Sequence, residues 1–199
     1  MAGQTGKLIH PGWLRVTHWI NVVAVTILVT SGWRIYDASP VFKFKIPPDI
    51  TLGGWLGGAL QWHFFAMWLL LANGLLYLLL NIFSGRLLHK YFPIRPADVV
   101  HDLFAALKGK LVHEDPAHYN SLQKLAYLFV MVVSTVVIMS GLVLWKSVQF
   151  PHLRVLMGGY DNARIVHFFC MAGLVAVVAV HLTMVALVPR TFITMIRGR

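Results

Sequence analysis

The stretch from Ile165 to Val188 constrains this chain more than any other, because its 24 residues include no Asp, Glu, Lys or Arg. A run of that length and composition can cross a lipid bilayer as a helix. Two histidines, His167 and His181, lie inside it. At 14 residues apart they would lie about 40° apart around the helix, on one face, and about 21 Å apart along it. A titratable side chain in hydrocarbon is costly and usually functional, so the spacing predicts two sites at different depths.

The chain as a whole has the composition of a membrane protein. It has 199 residues, of which 58% are hydrophobic and 12% charged, and its mean hydropathy is +0.70. We therefore predict an all-α fold: one integral membrane domain over residues 1–199, built as a four-helix bundle. The single cysteine, Cys170, excludes a disulfide framework and a cysteine metal site. The four predicted spans are residues 16–33, 59–83, 122–145 and 165–188.

The connection between the second and third spans contains a further helix. From Pro96 to Leu111 the apolar residues recur at helical spacing on one face, while Asp98 falls in the first turn and Lys108 in the last. The segment is too short and too charged to span a bilayer, so we predict an amphipathic helix on the membrane surface. Between the first two spans, the alternation of Phe42, Phe44 and Ile46 is compatible with either a short strand or a loop that dips toward the membrane.

The distribution of lysine and arginine predicts the orientation. Four spans place both termini on one side, which holds 11 of the 17 basic residues, against 6 on the other side. Because Lys and Arg concentrate in cytoplasmic loops, both termini are predicted to be cytoplasmic. The same placement beside apolar spans explains the net charge of +10 and argues against nucleic-acid binding.

Four histidines lie within the predicted spans, and the topology sorts them by depth. His63 and His167 begin spans that enter from the outer side, whereas His18 and His181 lie near the cytoplasmic ends of their spans. The result is an outer pair, His63 with His167, and an inner pair, His18 with His181. Two neutral imidazoles facing each other across a helix bundle are the axial ligands of a b-type haem. The pattern predicts two haem b groups, with these histidines as the metal ligands.

Two other readings of the histidines remain open. One is a set of core histidines bonded to helix carbonyls, or a proton relay, which fits a lone histidine better than four that pair by depth. The other is a zinc site, which needs three or four ligands converging on one point rather than two separated pairs.

A short internal repeat supports the pairing. The sequence from His63 to Met67, His-Phe-Phe-Ala-Met, matches His-Phe-Phe-Cys-Met from His167 to Met171. In the preceding spans, Ser31-Gly32 matches Ser140-Gly141. We interpret the chain as two similar hairpins.

Residues near the histidines suggest how a porphyrin would be held. Arg15 and Arg164 each precede a proposed ligand by three residues, one helical turn, and arginine suits bidentate pairing with haem propionates. Snorkelling of these side chains to the membrane interface explains the same placement. Glycines in the spans would either give the flat porphyrin ring room against the backbone or simply let the helices approach each other. These glycines are Gly32, Gly74, Gly141 and Gly173.

Several of these stretches together resemble the bacterial cytochrome b561 family over essentially the whole chain. This family includes the cytochrome b subunits of nickel-iron hydrogenases and formate dehydrogenases. The stretches that carry the resemblance are Arg15-Val-Thr-His18-Trp19, His63-Phe, Asn120-Ser-Leu-Gln123-Lys124, Ser140-Gly141, and Arg164-x-x-His167 followed by His181.

The resemblance implies a role in respiration at the bacterial inner membrane. Family members bind two b haems with the pairing above and carry electrons between a periplasmic redox partner and membrane quinone. It further implies a quinone site beside the inner haem, with Asn120 and Gln123 as contacts. The long loop before the third span is most similar to members that accompany periplasmic molybdopterin oxidoreductases.

We therefore expect a di-haem electron-transfer subunit of an oxidoreductase complex. The alternative is a stand-alone superoxide:quinone oxidoreductase of the same family. That enzyme would need a cationic outer pocket to steer an anion, for which Lys43, Lys45, Arg154 and Arg164 are candidates. Quinone-dependent consumption of superoxide by the purified protein would distinguish the two.

Overall fold

The computed structural model describes residues 11–85, 95–107 and 121–198. Over these residues the chain forms seven α-helices, a 3-10 turn at Pro48–Ile50 and no strand. The helices are α1 (Gly12–Ala38), α2 (Leu56–Phe83), α3 (Pro96–Leu107), α4 (Ser121–Trp145), α5 (Pro151–Leu156), α6 (Tyr160–Leu187) and α7 (Pro189–Arg197).

Four of these helices are long and apolar enough to cross a membrane, as predicted. They are α1, α2, α4 and α6, with 27, 28, 25 and 28 residues. The first begins at Gly12 and ends at Ala38, beyond both predicted limits, and the last begins at Tyr160 rather than Ile165. The reason is that hydropathy marks the part of a helix that suits hydrocarbon, whereas the helix continues through flanking polar residues. The cytoplasmic placement of the termini remains a prediction.

The chain divides into two compact units. The first comprises Met1–Asn81 with Val188–Arg199, and the second comprises Ile82–Leu187.

In the first unit, a polar clamp joins α1 to α2. The side-chain amide of Asn73 on α2 donates to the Thr17 carbonyl at 2.8 Å and to Asn21 Oδ1 at 2.7 Å. Both acceptors lie on α1, and Asn73 is only 4% exposed. Small side chains such as Ala24 and Ala66 are fully buried, as expected where membrane helices approach closely.

The chain between α1 and α2 is a pinned loop, which settles the choice between strand and loop. Tyr36 donates its hydroxyl to the carbonyls of Phe42 and Phe44 at 3.3 and 3.1 Å. The carboxylate of Asp37 accepts the Ile46 N–H at 2.9 Å. The alternating aromatic residues therefore fold back onto the end of α1.

The last helix, α7, lies where the sequence predicts only a basic tail. Pro189 stands in its first turn and Gly198 ends it in the left-handed conformation, at φ 83°. Its Phe192 ring meets the Trp19 ring edge-on at 6.0 Å. Arg15 on α1 donates to the Ile196 carbonyl in its last turn.

In the second unit, α4 packs along α6, and α3 packs against α4. The carboxylate of Asp102 on α3 accepts the Ser121 N–H at 2.8 Å. It thereby provides an acceptor for one of the backbone N–H groups that have no partner within the first turn of α4. The predicted amphipathic helix is confirmed from Pro96 to Leu107, and the rest of that segment lies outside the described residues.

Candidate functional site

In the first unit, His63 on α2 faces a serine on α1. Its Nδ1 lies 3.1 Å from Ser31 Oγ. The Ser31 hydroxyl in turn donates to the Ile27 carbonyl at 2.6 Å, one turn earlier. Since the hydroxyl proton is used in that bond, the oxygen accepts from the ring, so Nδ1 carries the proton. A neutral imidazole in this tautomer has its lone pair on Nε2.

The second unit repeats this arrangement at His167 on α6. Its Nδ1 lies 3.0 Å from Ser140 Oγ and 3.0 Å from the Val137 carbonyl, both on α4. The Ser140 hydroxyl also lies within bonding distance of that carbonyl, at 3.0 Å. A carbonyl oxygen only accepts, so Nδ1 of His167 is again the protonated nitrogen.

A glycine follows each serine and leaves room for the ring. A Cβ at Gly32 would lie 3.4 Å from His63 Cε1, and a Cβ at Gly141 would lie 3.3 Å from His167 Cε1. The contact at Gly141 is tighter than nine in ten real Cβ contacts, so a larger residue there would press on the imidazole, whereas the contact at Gly32 lies at the limit of ordinary van der Waals contact.

The sequence repeat is therefore also a structural repeat. In each unit a Ser-Gly pair on one long helix holds the first residue of the His-Phe-Phe motif on the next. We call these two arrangements the Ser–His clasps: Ser31 with His63, and Ser140 with His167.

The other two intramembrane histidines lie outside the clasps. His18 on α1 is half-buried, and its ring meets the Trp19 ring edge-on at 5.6 Å. It follows Thr17, whose carbonyl is an acceptor of the Asn73 clamp. His181 lies toward the end of α6 and is exposed. Each predicted haem pair joins residues of different units, so the pairing stays a prediction.

The two arginines make contacts that sequence reasoning did not anticipate. Arg15 donates to the Ile196 carbonyl, while its Nε is buried and has no hydrogen-bond partner within residues 11–85, 95–107 and 121–198. The Arg164 guanidinium nitrogen Nη1 lies 4.0 Å from Oδ1 of Asp161, one turn earlier on α6. The propionate role of both arginines stays a prediction.

The predicted quinone contacts are only partly visible. Gln123 is half-buried in the first turn of α4, and Asn120 lies outside the described residues.

Sequence reasoning missed the serines as partners of the histidine rings, although the Ser-Gly repeat was a signal for them. It also missed Asn73 and Asn21, whose signal was an amide in the middle of an apolar span.

Comparisons with known proteins agree on the family of this chain. The family model described as prokaryotic cytochrome b561 matches residues 9–198. A protein of Azospira oryzae named as the putative protein-methionine-sulfoxide reductase subunit YedZ1 is 69% identical over 190 residues, which is 96% of each chain.

Proposed function

The chain belongs to the prokaryotic cytochrome b561 family, and from that premise we propose that it is a di-haem subunit carrying electrons between membrane quinone and a periplasmic enzyme. As a family member with four long apolar helices, it is a multi-pass protein of the bacterial inner membrane that takes part in electron transfer. The number of haems, the ligand pairs, the quinone and the partner are the proposed parts.

The clasps fit the haem b that the family implies. His63 and His167 would hold the haem iron as neutral imidazoles, because Nδ1 protonation leaves the lone pair of each ring on Nε2. The glycine beside each ring keeps the imidazole unobstructed. Haem b, when bound, supplies a one-electron ferric/ferrous couple.

We assign the outer pair to His63 with His167 and the inner pair to His18 with His181. The equivalence of the two clasps supports the outer pair, because two repeats of one structure would offer two equivalent ligands. The inner pair rests on the depth of His18 and His181 along their spans. Four titratable side chains that fall at two depths of apolar spans are difficult to explain as packing alone.

The clasps also act on the chemistry of the ligands. A hydrogen bond from Nδ1–H to an oxygen fixes the orientation of the ring and raises the basicity of the coordinating nitrogen. A more basic ligand favours the ferric state. Arg15 and Arg164 would neutralise propionates near His18 and His167, and Gln123, with Asn120, would hydrogen-bond the quinone.

The relative named above suggests which enzyme receives the electrons. We propose that the partner is the catalytic subunit of a protein-methionine-sulfoxide reductase, of the molybdopterin class indicated by the sequence resemblance. Reduction of one sulfoxide to the thioether takes two electrons and two protons and releases one water. Electrons would therefore leave quinol and move outward.

Optical spectra of the purified protein, oxidised by air and reduced by dithionite, test the proposal. We expect two b haems per chain by pyridine haemochrome analysis. His63→Ala and His167→Ala should each remove one haem, and the same one. Protein from haem-replete cells that contains no haem, or variants that retain two, would refute the assignment.

A further inference from the structure

The connection between α4 and α6, residues 146–159, exposes more apolar surface than a soluble loop normally does. Val148, Val155 and Leu156 are 83%, 79% and 76% exposed. Three large aliphatic side chains so exposed within one short segment are typical of an interaction surface. We call residues 146–159 the docking segment.

The docking segment has a defined shape. Helix α5 occupies its centre, and the Phe150 N–H bonds the Lys146 carbonyl at 3.1 Å. At its end, Gly158 and Gly159 turn the chain at φ 76° and 101°, and the Gly159 N–H bonds the Arg154 carbonyl at 2.9 Å. A surface that is already ordered loses little conformational freedom when a partner binds.

A cavity of about 560 Å³ lies within this segment. The Ser147 hydroxyl is buried there and has no hydrogen-bond partner among the residues that the structure describes. A buried hydroxyl without a partner costs free energy, which a polar group from a bound molecule would recover. The residues lining the cavity are Ser147, Val148, Pro151, Arg154, Val155, Gly158 and Gly159.

The charge of the segment indicates the kind of partner. It contains Lys146 and Arg154 and no Asp or Glu. The Lys146 ammonium lies 4.9 Å from the centre of the Trp145 ring, whereas Arg154 is exposed on the cavity wall. An apolar surface with an arginine at its centre suits a protein partner that presents acidic and apolar side chains.

Lipid does not explain the segment as well. The segment has irregular backbone on both sides of α5, at residues 146–150 and 157–159. The N–H and C=O groups of such backbone are not all paired as they are in a helix, so irregular backbone does not occur in contact with hydrocarbon. Acyl chains would also leave the Ser147 hydroxyl without a partner. The docking segment therefore faces the water side of the interface.

We propose that the docking segment is the surface on which the soluble catalytic subunit binds. The segment leads directly into α6, and His167 follows Tyr160 by seven positions, about 10 Å along the helix axis. A partner seated here would lie next to the helix that carries a ligand of the outer haem. The proposal rests on the proposed function and adds the residues that make the contact.

The proposal is tested by binding of the catalytic subunit of protein-methionine-sulfoxide reductase from the organism that encodes this chain. The full-length, haem-loaded protein in nanodiscs would be titrated with that purified subunit, as unmodified protein and as Val155→Glu and Arg154→Glu. We expect each substitution to weaken binding at least tenfold with unchanged haem content. Ile50→Glu is the matched control, since Ile50 is also apolar and 50% exposed but lies outside the segment, and it should bind normally.

The outcomes separate this proposal from the proposed function. Normal binding by both variants would overturn the docking surface and leave the di-haem assignment intact. No binding by the unmodified protein would overturn both the surface and the choice of partner. A fluorophore on Val155→Cys, in a Cys170→Ser background, tests lipid contact, and strong quenching by spin-labelled lipid would also overturn the docking surface.

Discussion

If the glycine beside each clasp seats the histidine ring, a larger residue in its place should disturb the haem, and Gly141→Ala tests this. The added Cβ would lie 3.3 Å from His167 Cε1 and 3.7 Å from Nδ1. The imidazole would have to move by a few tenths of an ångström, and its bonds to Ser140 and Val137, both 3.0 Å, would lengthen.

Two effects of opposite sign decide the magnitude. Overpacking a well-packed site costs about 1–3 kcal/mol. Replacing glycine by alanine inside a helix gains about 0.8–1 kcal/mol. The helix gain offsets part of the overpacking cost, so we expect the free energy of unfolding to fall by about 0–2 kcal/mol. The displacement of the ring does not cancel, so the change should appear at the haem.

The assay compares Gly141→Ala with Gly74→Ala. Among the described residues, a Cβ at Gly74 meets no atom within 4 Å, so that variant gains helix stability without a clash and serves as the reference for stability alone. Potentiometric titration should show one shifted or missing haem in Gly141→Ala. If Gly141→Ala kept two haems at their original potentials and was stabilised as much as Gly74→Ala, the glycine would have no role in seating His167.

Three further substitutions test the polar contacts. In Ser31→Ala the hydrogen bond from His63 Nδ1–H to the serine is lost, the ligand becomes less basic, and the outer haem potential should rise by on the order of 40 mV, which is about 1 kcal/mol for one electron. In Ser140→Ala the rise should be smaller, because His167 Nδ1–H keeps the Val137 carbonyl as an acceptor at 3.0 Å; a redox titration in which Ser31→Ala does not shift would contradict the clasps. Asn73→Leu removes two intramembrane hydrogen bonds and should lower the unfolding free energy by about 1–2 kcal/mol in detergent. Thr26→Val is the control, because the Thr26 hydroxyl donates to the Val22 carbonyl of its own helix at 2.8 Å; equal losses would argue against the clamp.

The four long helices were predictable because their signal is local. A run of apolar residues such as 165–188 in α6 identifies a span without any knowledge of its neighbours. The outer depth of His63 and His167 was derived from the order of the spans alone, and it stays a prediction. The helix limits were less predictable, since α1 continues through Arg15 and Arg34, which hydropathy places outside the membrane.

The polar contacts were less predictable because each depends on two helices. Ser31 and Asn73 are ordinary residues in sequence, and only the approach of α1 and α2 turns them into partners of His63 and Thr17. Helix α7 was missed for a similar reason. Its nine residues are too few to be stable as an isolated helix, and it is held by contacts with α1, such as Phe192 on Trp19.

The Asn73 clamp bears on how the chain enters the membrane during synthesis. The ribosome completes α1 before α2, so the Thr17 carbonyl and the Asn21 amide already exist when Asn73 reaches the translocon. An amide released alone into hydrocarbon would leave its N–H groups unpaired at a cost of several kcal/mol. The two helices should therefore leave the translocon as a joined hairpin, with the polar groups of each shielded by the other.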